Sequence, residues 1–211
     1  MQKDVFSGLK LDNGEPIYTQ EYIQSLRDAD KKHPDKLKIV AQRGGQERML
    51  SIDADIKIVG GSRGGSKSFS SLMEVLKDIK NPDFHATILR NEKDDLQSLV
   101  TDSYKLFSQF GTYNKSQNDM TWNFDNGGWL KFSYYAGAYQ DFKTRFQGRQ
   151  YAYVCIDEGT QCPYKKFKYL LTNNRNAAHI RNRFWITCNP DPESWVRKFI
   201  DWWVDENGYI I

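Results

Sequence analysis

The chain has 211 residues, 39% hydrophobic and 14% aromatic, enough to bury one sizeable core and to build a single α/β domain rather than two. Its formal net charge of +3, with 27% charged residues, neither demands nor opposes a nucleic-acid partner. Cys155, Cys162 and Cys188 form no C-x-x-C pair, the N-terminus lacks an apolar signal core, and no run is long enough to cross a bilayer, so neither a disulfide framework nor a zinc knuckle is indicated and a reducing, cytosolic setting is expected.

Met1 to Pro16 reads as an extended lead, and Thr19 to Lys32 as a helix with Tyr22, Ile23 and Leu26 at helical spacing. Lys36 to Asp55 is mixed and broken by Gly44-Gly45; within it, the amide of Gln46 can both donate to and accept from an adenine edge, or simply face solvent. Ile56 to Leu72, IKIVGGSRGGSKSFSSL, reads as a strand, a glycine-rich loop and the start of a helix running to about Lys80. Gly61, Ser62, Arg63, Gly64, Gly65 and Ser66 supply a backbone able to cradle phosphates, Lys67 a mobile cation, and Ser68 a hydroxyl for magnesium. The pattern G-x-x-x-x-G-K-[ST] is met at Gly61, Lys67 and Ser68, but Ser66 stands where the second glycine belongs.

His85 to Arg90 reads as a buried strand, and NEKDDLQSLVTDSYKLFSQFG as a helix stopped by Gly111. Thr121 to Tyr135 alternates about Asp125-Asn126-Gly127-Gly128, a hairpin signal. A polar stretch with Arg145 and Arg149 precedes the strand YAYVCIDE, then come a proline-started helix from Pro163 to about Leu171, a strand RFWITCNP, and a terminal helix from Ser194 to Val204. Strands alternating with helices predict a mainly parallel sheet covered on both faces, with ligands at the carboxyl ends of its strands. The loop, Asp157-Glu158 and Thr187-Cys188-Asn189-Pro190 each follow an apolar strand and are expected to gather at that edge. There Asp157 suits magnesium through its water shell, Glu158 can orient an attacking water, and Asn189 can sense the γ-phosphate or that water.

GGSRGGSKS, RFQGRQYAYVCIDE and TCNP, in this order with the hairpin WNFDNGGWLKF between, resemble the ATPase domain of the large terminase subunit of tailed bacteriophages. The resemblance spans about Gln46 to Asn189 and implies a P-loop NTPase of the additional-strand, catalytic-glutamate (RecA-like) type, binding ATP and Mg2+ and driving double-stranded DNA into capsids. It implies that Lys67 and Ser68 hold phosphate and magnesium, that Asp157 supports the metal, that Glu158 is catalytic, and that Thr187 and Asn189 couple hydrolysis to movement. It also implies Gln46 as adenine reader and Arg145 as an arginine reaching a neighbour's nucleotide, with Arg63 as competitor. The expected partners are DNA, further copies in a ring (a pentamer on the portal), the portal protein and the small terminase subunit, without a membrane, in the cytoplasm of the infected bacterial host. Residues 1–45 are then an N-terminal extension and 46–211 the ATPase domain, with the family's nuclease domain absent from this chain. Two rivals remain at this point: a cellular helicase or recombination ATPase of the same core, and a non-catalytic scaffold whose loop Ser66 has spoiled.

Overall fold

The computed structural model describes residues 41–203 apart from 43, 62–65, 115, 117, 118, 178 and 190. The chain divides into two compact units, Met1–Val40 and Ala41–Ile211, and all that follows concerns the second. The helix expected over Thr19 to Lys32 lies outside the described residues.

Seven strands form one sheet among the described residues: β1 (Ile56–Val59), β2 (His85–Arg90), β3 (Gly111–Asn114), β4 (Thr121–Phe124), β5 (Trp129–Tyr134), β6 (Tyr153–Ile156) and β7 (Arg183–Thr187). Their order is β1-β7-β6-β2-β5-β4-β3, parallel from β1 to β5 and antiparallel from β5 to β3. The parallel strands β6 and β7 are buried along their whole length, as strands covered on both faces must be. The antiparallel extension contains the expected hairpin, turned at Gly127 with φ 105°.

The helices are α1 (Gly45–Ser51), α2 (Lys67–Val75), α3 (Leu96–Phe107), α4 (Tyr139–Phe146), α5 (Tyr164–Asn173) and α6 (Trp195–Ile200). Alternation along β1 separates two layers. Lys57 turns to α2, where it meets the fully buried Glu74 at 3.2 Å, while Ile56 and Ile58 pack against a cluster containing Phe142 and Phe146 of α4 and Phe167 and Leu170 of α5. Trp195 stacks on Phe167 at 4.5 Å and joins that core, whereas Trp203 is exposed. Arg183 also reaches Glu74, at 3.0 Å, so one buried carboxylate ties α2 to both β1 and β7.

Several elements depart from the sequence reading. The helix α3 ends at Phe107, and Gly111 begins β3 rather than capping it. A Cβ at Gly111 would lie 2.2 Å from the Asn123 carbonyl oxygen, so close strand pairing, not helix termination, requires this glycine. The polar stretch with Arg145 folds as α4, anchored by only two buried residues, Phe142 and Phe146. A short helix, α1, occupies part of the stretch read as mixed.

Candidate nucleotide-binding site

The site is built where β1, β7 and β6 end. After β1 the chain passes Gly60 and Gly61, the latter at φ 138°; Ser62, Arg63, Gly64 and Gly65 lie outside the described residues. Ser66 then takes the left-handed conformation, φ 56° and ψ 15°, and α2 begins at Lys67. That conformation costs an L-residue roughly 1–2 kcal/mol. The backbone therefore keeps a glycine-like shape at this position with a serine in place.

Lys67 Nζ donates to the Gly61 carbonyl at 2.8 Å and to Asn189 Oδ1 at 3.4 Å, folding back over the loop. Ser68 Oγ donates to Asp157 Oδ1 at 2.8 Å, joining the first turn of α2 to the end of β6. Asp157 is fully buried and is the hub of the site. Thr187 Oγ1 donates to its Oδ1, and Arg90 Nε meets its Oδ2 at 2.6 Å. A buried carboxylate needs such donors, because burial without partners costs several kcal/mol.

Glu158 also has a left-handed backbone, φ 59° and ψ 46°, a strained geometry for a non-glycine residue. Its N–H donates to Thr187 Oγ1 at 3.1 Å, its carbonyl accepts the Tyr135 hydroxyl at 3.1 Å, and its Oε2 accepts from Gln161 at 3.0 Å. Burial pushes the Tyr135 phenol well up, so it stays a protonated donor. Gly159 follows, and a Cβ there would lie 2.3 Å from Ile186 Cγ2, so the turn after Glu158 closes directly onto β7. Burial likewise raises the Cys188 thiol, against the opposing charge of Lys67.

Gln46 is buried in α1, and its Oε1 accepts the Gln42 N–H at 2.6 Å; Ser66 Oγ lies 3.4 Å from the Gln42 side chain, so α1 sits beside the loop. Arg145 is not with these residues. Its guanidinium lies 3.8 Å over the Tyr134 ring and donates to the Tyr134 carbonyl at 2.7 Å, at the end of β5. The sequence reading missed Arg90, which also holds the Asp95 carbonyl and Ser98 Oγ, and it missed Tyr135. The available signal was an arginine closing the otherwise apolar strand HATILR at the edge where ligands bind.

Among the described residues no three His, Cys, Asp or Glu side chains cluster so as to cage a metal. Ser68 with Asp157 still fits magnesium, which takes few protein ligands and keeps waters and phosphates for the rest. With both Asp157 oxygens engaged by Ser68, Thr187 and Arg90, that carboxylate suits contact through water.

The strand order places β7 between β1, which leads to the loop, and β6, which ends in the acidic pair, and this inserted strand defines an additional-strand P-loop NTPase fold. The family model described as terminase large subunit, T4likevirus-type, N-terminal, matches residues 58–209, and the chain belongs to that family. A comparison with curated proteins finds no match. The large terminase of a thermophilic bacteriophage superposes with a TM-score of 0.59 at 16% identity, over 82% of this chain and 45% of that one. The same protein in complex with ADP gives 0.59 and 16%, over 81% and 44%. The ATPase domain of the Thermus phage P74-26 large terminase gives 0.55 at 14% identity, over 86% of this chain and 75% of that domain. The chain thus spans less than half the length of the first of these terminases. No helix among the described residues is long and apolar enough to cross a membrane.

Proposed function

We propose that this chain is an ATP-hydrolysing motor domain, with residues 46–211 as its catalytic unit, that works on double-stranded DNA during capsid filling. The observation that supports this most is the meeting of three distant segments: Ser68 with Asp157, 89 residues on, and Lys67 with Asn189, 122 residues on. Lys67 exchanges its Gly61 and Asn189 acceptors for the outer phosphates, and the loop N–H groups bind the rest. Ser68, and Asp157 through water, would hold magnesium, which when bound would neutralise phosphate charge. Glu158 orients the attacking water and accepts its proton. Thr187, hydrogen-bonded to both Asp157 and the Glu158 backbone, transmits changes at the acidic pair to β7, with Asn189 two residues on at Lys67.

Gln46, buried beside the loop, is the proposed adenine reader, and an arginine of a neighbouring copy, Arg145 or Arg63, completes the charge stabilisation. In the assembly we assign, copies form a ring, a pentamer on the portal, with the small terminase subunit and DNA as further partners, in the cytoplasm of an infected bacterium. The ADP and ATP-gamma-S complexes of the thermophilic bacteriophage terminase agree with a nucleotide at this fold. The rival scaffold reading is disfavoured by the Ser66 backbone, which keeps the left-handed loop geometry. The test is thermal melting with ATP-gamma-S and magnesium. At a ligand concentration about 100 times Kd the gain is roughly 2.7 kcal/mol, or about 5–11 °C for a chain of this size. Lys67→Ala is expected to abolish the shift; no shift in the wild type contradicts the reading.

A further inference from the structure

A second concentration of cations lies away from the nucleotide site, two strands along the sheet from β6. Where β5 runs beside β2, a cleft of about 260 Å³ is lined by Lys93, Lys131, Arg145 and Arg149. Asp119 meets Lys131 at 3.0 Å, and among the described residues Lys93, Arg145 and Arg149 have no carboxylate within ion-pair distance. Arg149 is exposed and fixed at its stem side by donating Nε to the Arg145 carbonyl at 3.0 Å. Cations that line one cleft without carboxylate partners repel one another and gain from an anion placed among them.

The shape of the cleft chooses among anions. Its volume is below the roughly 300–1,000 Å³ usual for whole small-molecule ligands, so it takes phosphate groups rather than a complete nucleotide. Within the cleft itself the aromatic walls offer no open stacking face: Phe132, Phe146 and Tyr151 are buried in the core, and the Tyr134 ring is covered by the Arg145 guanidinium, while the half-buried Tyr104 and Tyr113 line the adjoining groove beyond Lys93. Single-stranded nucleic acid is held by bases stacking on open aromatic rings, whereas a duplex presents only its phosphate backbone to such a surface. We infer that this cleft seats backbone phosphates of double-stranded DNA, with Lys93 and Arg149 as the contacts. The inference rests on the DNA-motor reading above and adds to it the surface that meets the duplex.

The experiment is fluorescence anisotropy of a labelled random-sequence duplex, and separately of its labelled single strand, against the 211-residue chain, across a salt series, for wild type, Lys93→Gln, Arg149→Gln, Arg149→Lys and Lys198→Gln in α6. Each phosphate contact contributes about 0.9 to the slope of log affinity against log salt, so loss of Lys93 or Arg149 is expected to weaken binding roughly tenfold at about 0.1 M salt and to flatten that slope by about 0.9. Arg149→Lys keeps the slope, and Lys198→Gln leaves both quantities unchanged. If wild type binds duplex and the two charge-removing variants match it, the cleft is not the contact surface, while the motor reading stands. If the variants lose single-strand binding as much as duplex binding, the duplex assignment is overturned. Absence of any duplex binding by the wild type at low salt removes both the inference and its premise.

Discussion

Gly159→Ala tests how Glu158 is positioned. The added methyl lies 2.3 Å from Ile186 Cγ2 and 3.4 Å from the Thr187 carbonyl oxygen. Ile186 is fully buried in a central strand, and its β-branched side chain has few rotamers to retreat into. Overpacking of this kind costs about 1–3 kcal/mol; at about 2 kcal/mol, melting falls by roughly 4–8 °C. The turn can relieve the clash only by lifting from β7, which breaks the Glu158 N–H bond to Thr187 Oγ1. Displacing a reacting group by about 1 Å lowers turnover on the order of a hundredfold. Urea unfolding and steady-state ATP hydrolysis read the two effects. Ile186→Ala alone costs about 2–5 kcal/mol, and in the Gly159→Ala background it is expected to cost at least about 1 kcal/mol less, because the new methyl then has space. A Gly159→Ala variant within about 0.5 kcal/mol of wild type, or strict additivity in the cycle, refutes the reasoning.

Arg90→Met strips the fully buried Asp157 of its cation and leaves it two hydroxyl donors; since Arg90 is 16% exposed, the low end of the usual penalty applies, about 3 kcal/mol by urea unfolding, with Arg90→Lys recovering part. Ser66→Gly relieves about 1 kcal/mol of left-handed strain but loosens the unfolded chain by a similar amount, so melting moves little while affinity for ATP-gamma-S, by calorimetry, rises. Alkaline pH destabilises the fold: burial raises the Cys155 and Cys188 thiols and pushes Cys162 up to about 12, whereas unfolded thiols lose their protons near pH 8.5. Above that pH the folded state binds more protons, so stability falls from about 8.5 towards 12, by about 1.4 kcal/mol per pH unit for Cys162. Lys57, lowered to about 8 by burial, acts in the opposite direction up to about pH 10.4, so the comparison is the urea midpoint of wild type against Cys162→Ala between about pH 7.5 and 9.5, where the variant is expected to lose less.

The parts of this structure legible in the sequence are those in which local chemistry and fold agree. An apolar run, clustered glycines and an amphipathic run marked β1, the loop and α2, and an apolar strand leading into Asp157 with another ending at Thr187 marked the remaining edge of the candidate site. The parts that escaped depend on contacts between distant segments. With only Phe142 and Phe146 buried, α4 has too thin an apolar stripe to stand out, and Gly111 is required by a strand neighbour rather than by its own turn. Pairing of Arg90 with Asp157 spans 67 residues and is set by the adjacency of β2 and β6. The left-handed backbone of Glu158 has no signature in residue type, since it is imposed by the bonds of its N–H and carbonyl to Thr187 and Tyr135.

The most direct test of the account is magnesium-dependent ATP hydrolysis by the 211-residue chain, with and without duplex DNA, for wild type, Lys67→Ala and Glu158→Gln, with nucleotide binding measured on each. The account predicts turnover in the wild type, loss of both binding and turnover in Lys67→Ala, and nucleotide bound without turnover in Glu158→Gln. Wild-type turnover that persists in Glu158→Gln, or a wild type that binds no nucleotide, contradicts it.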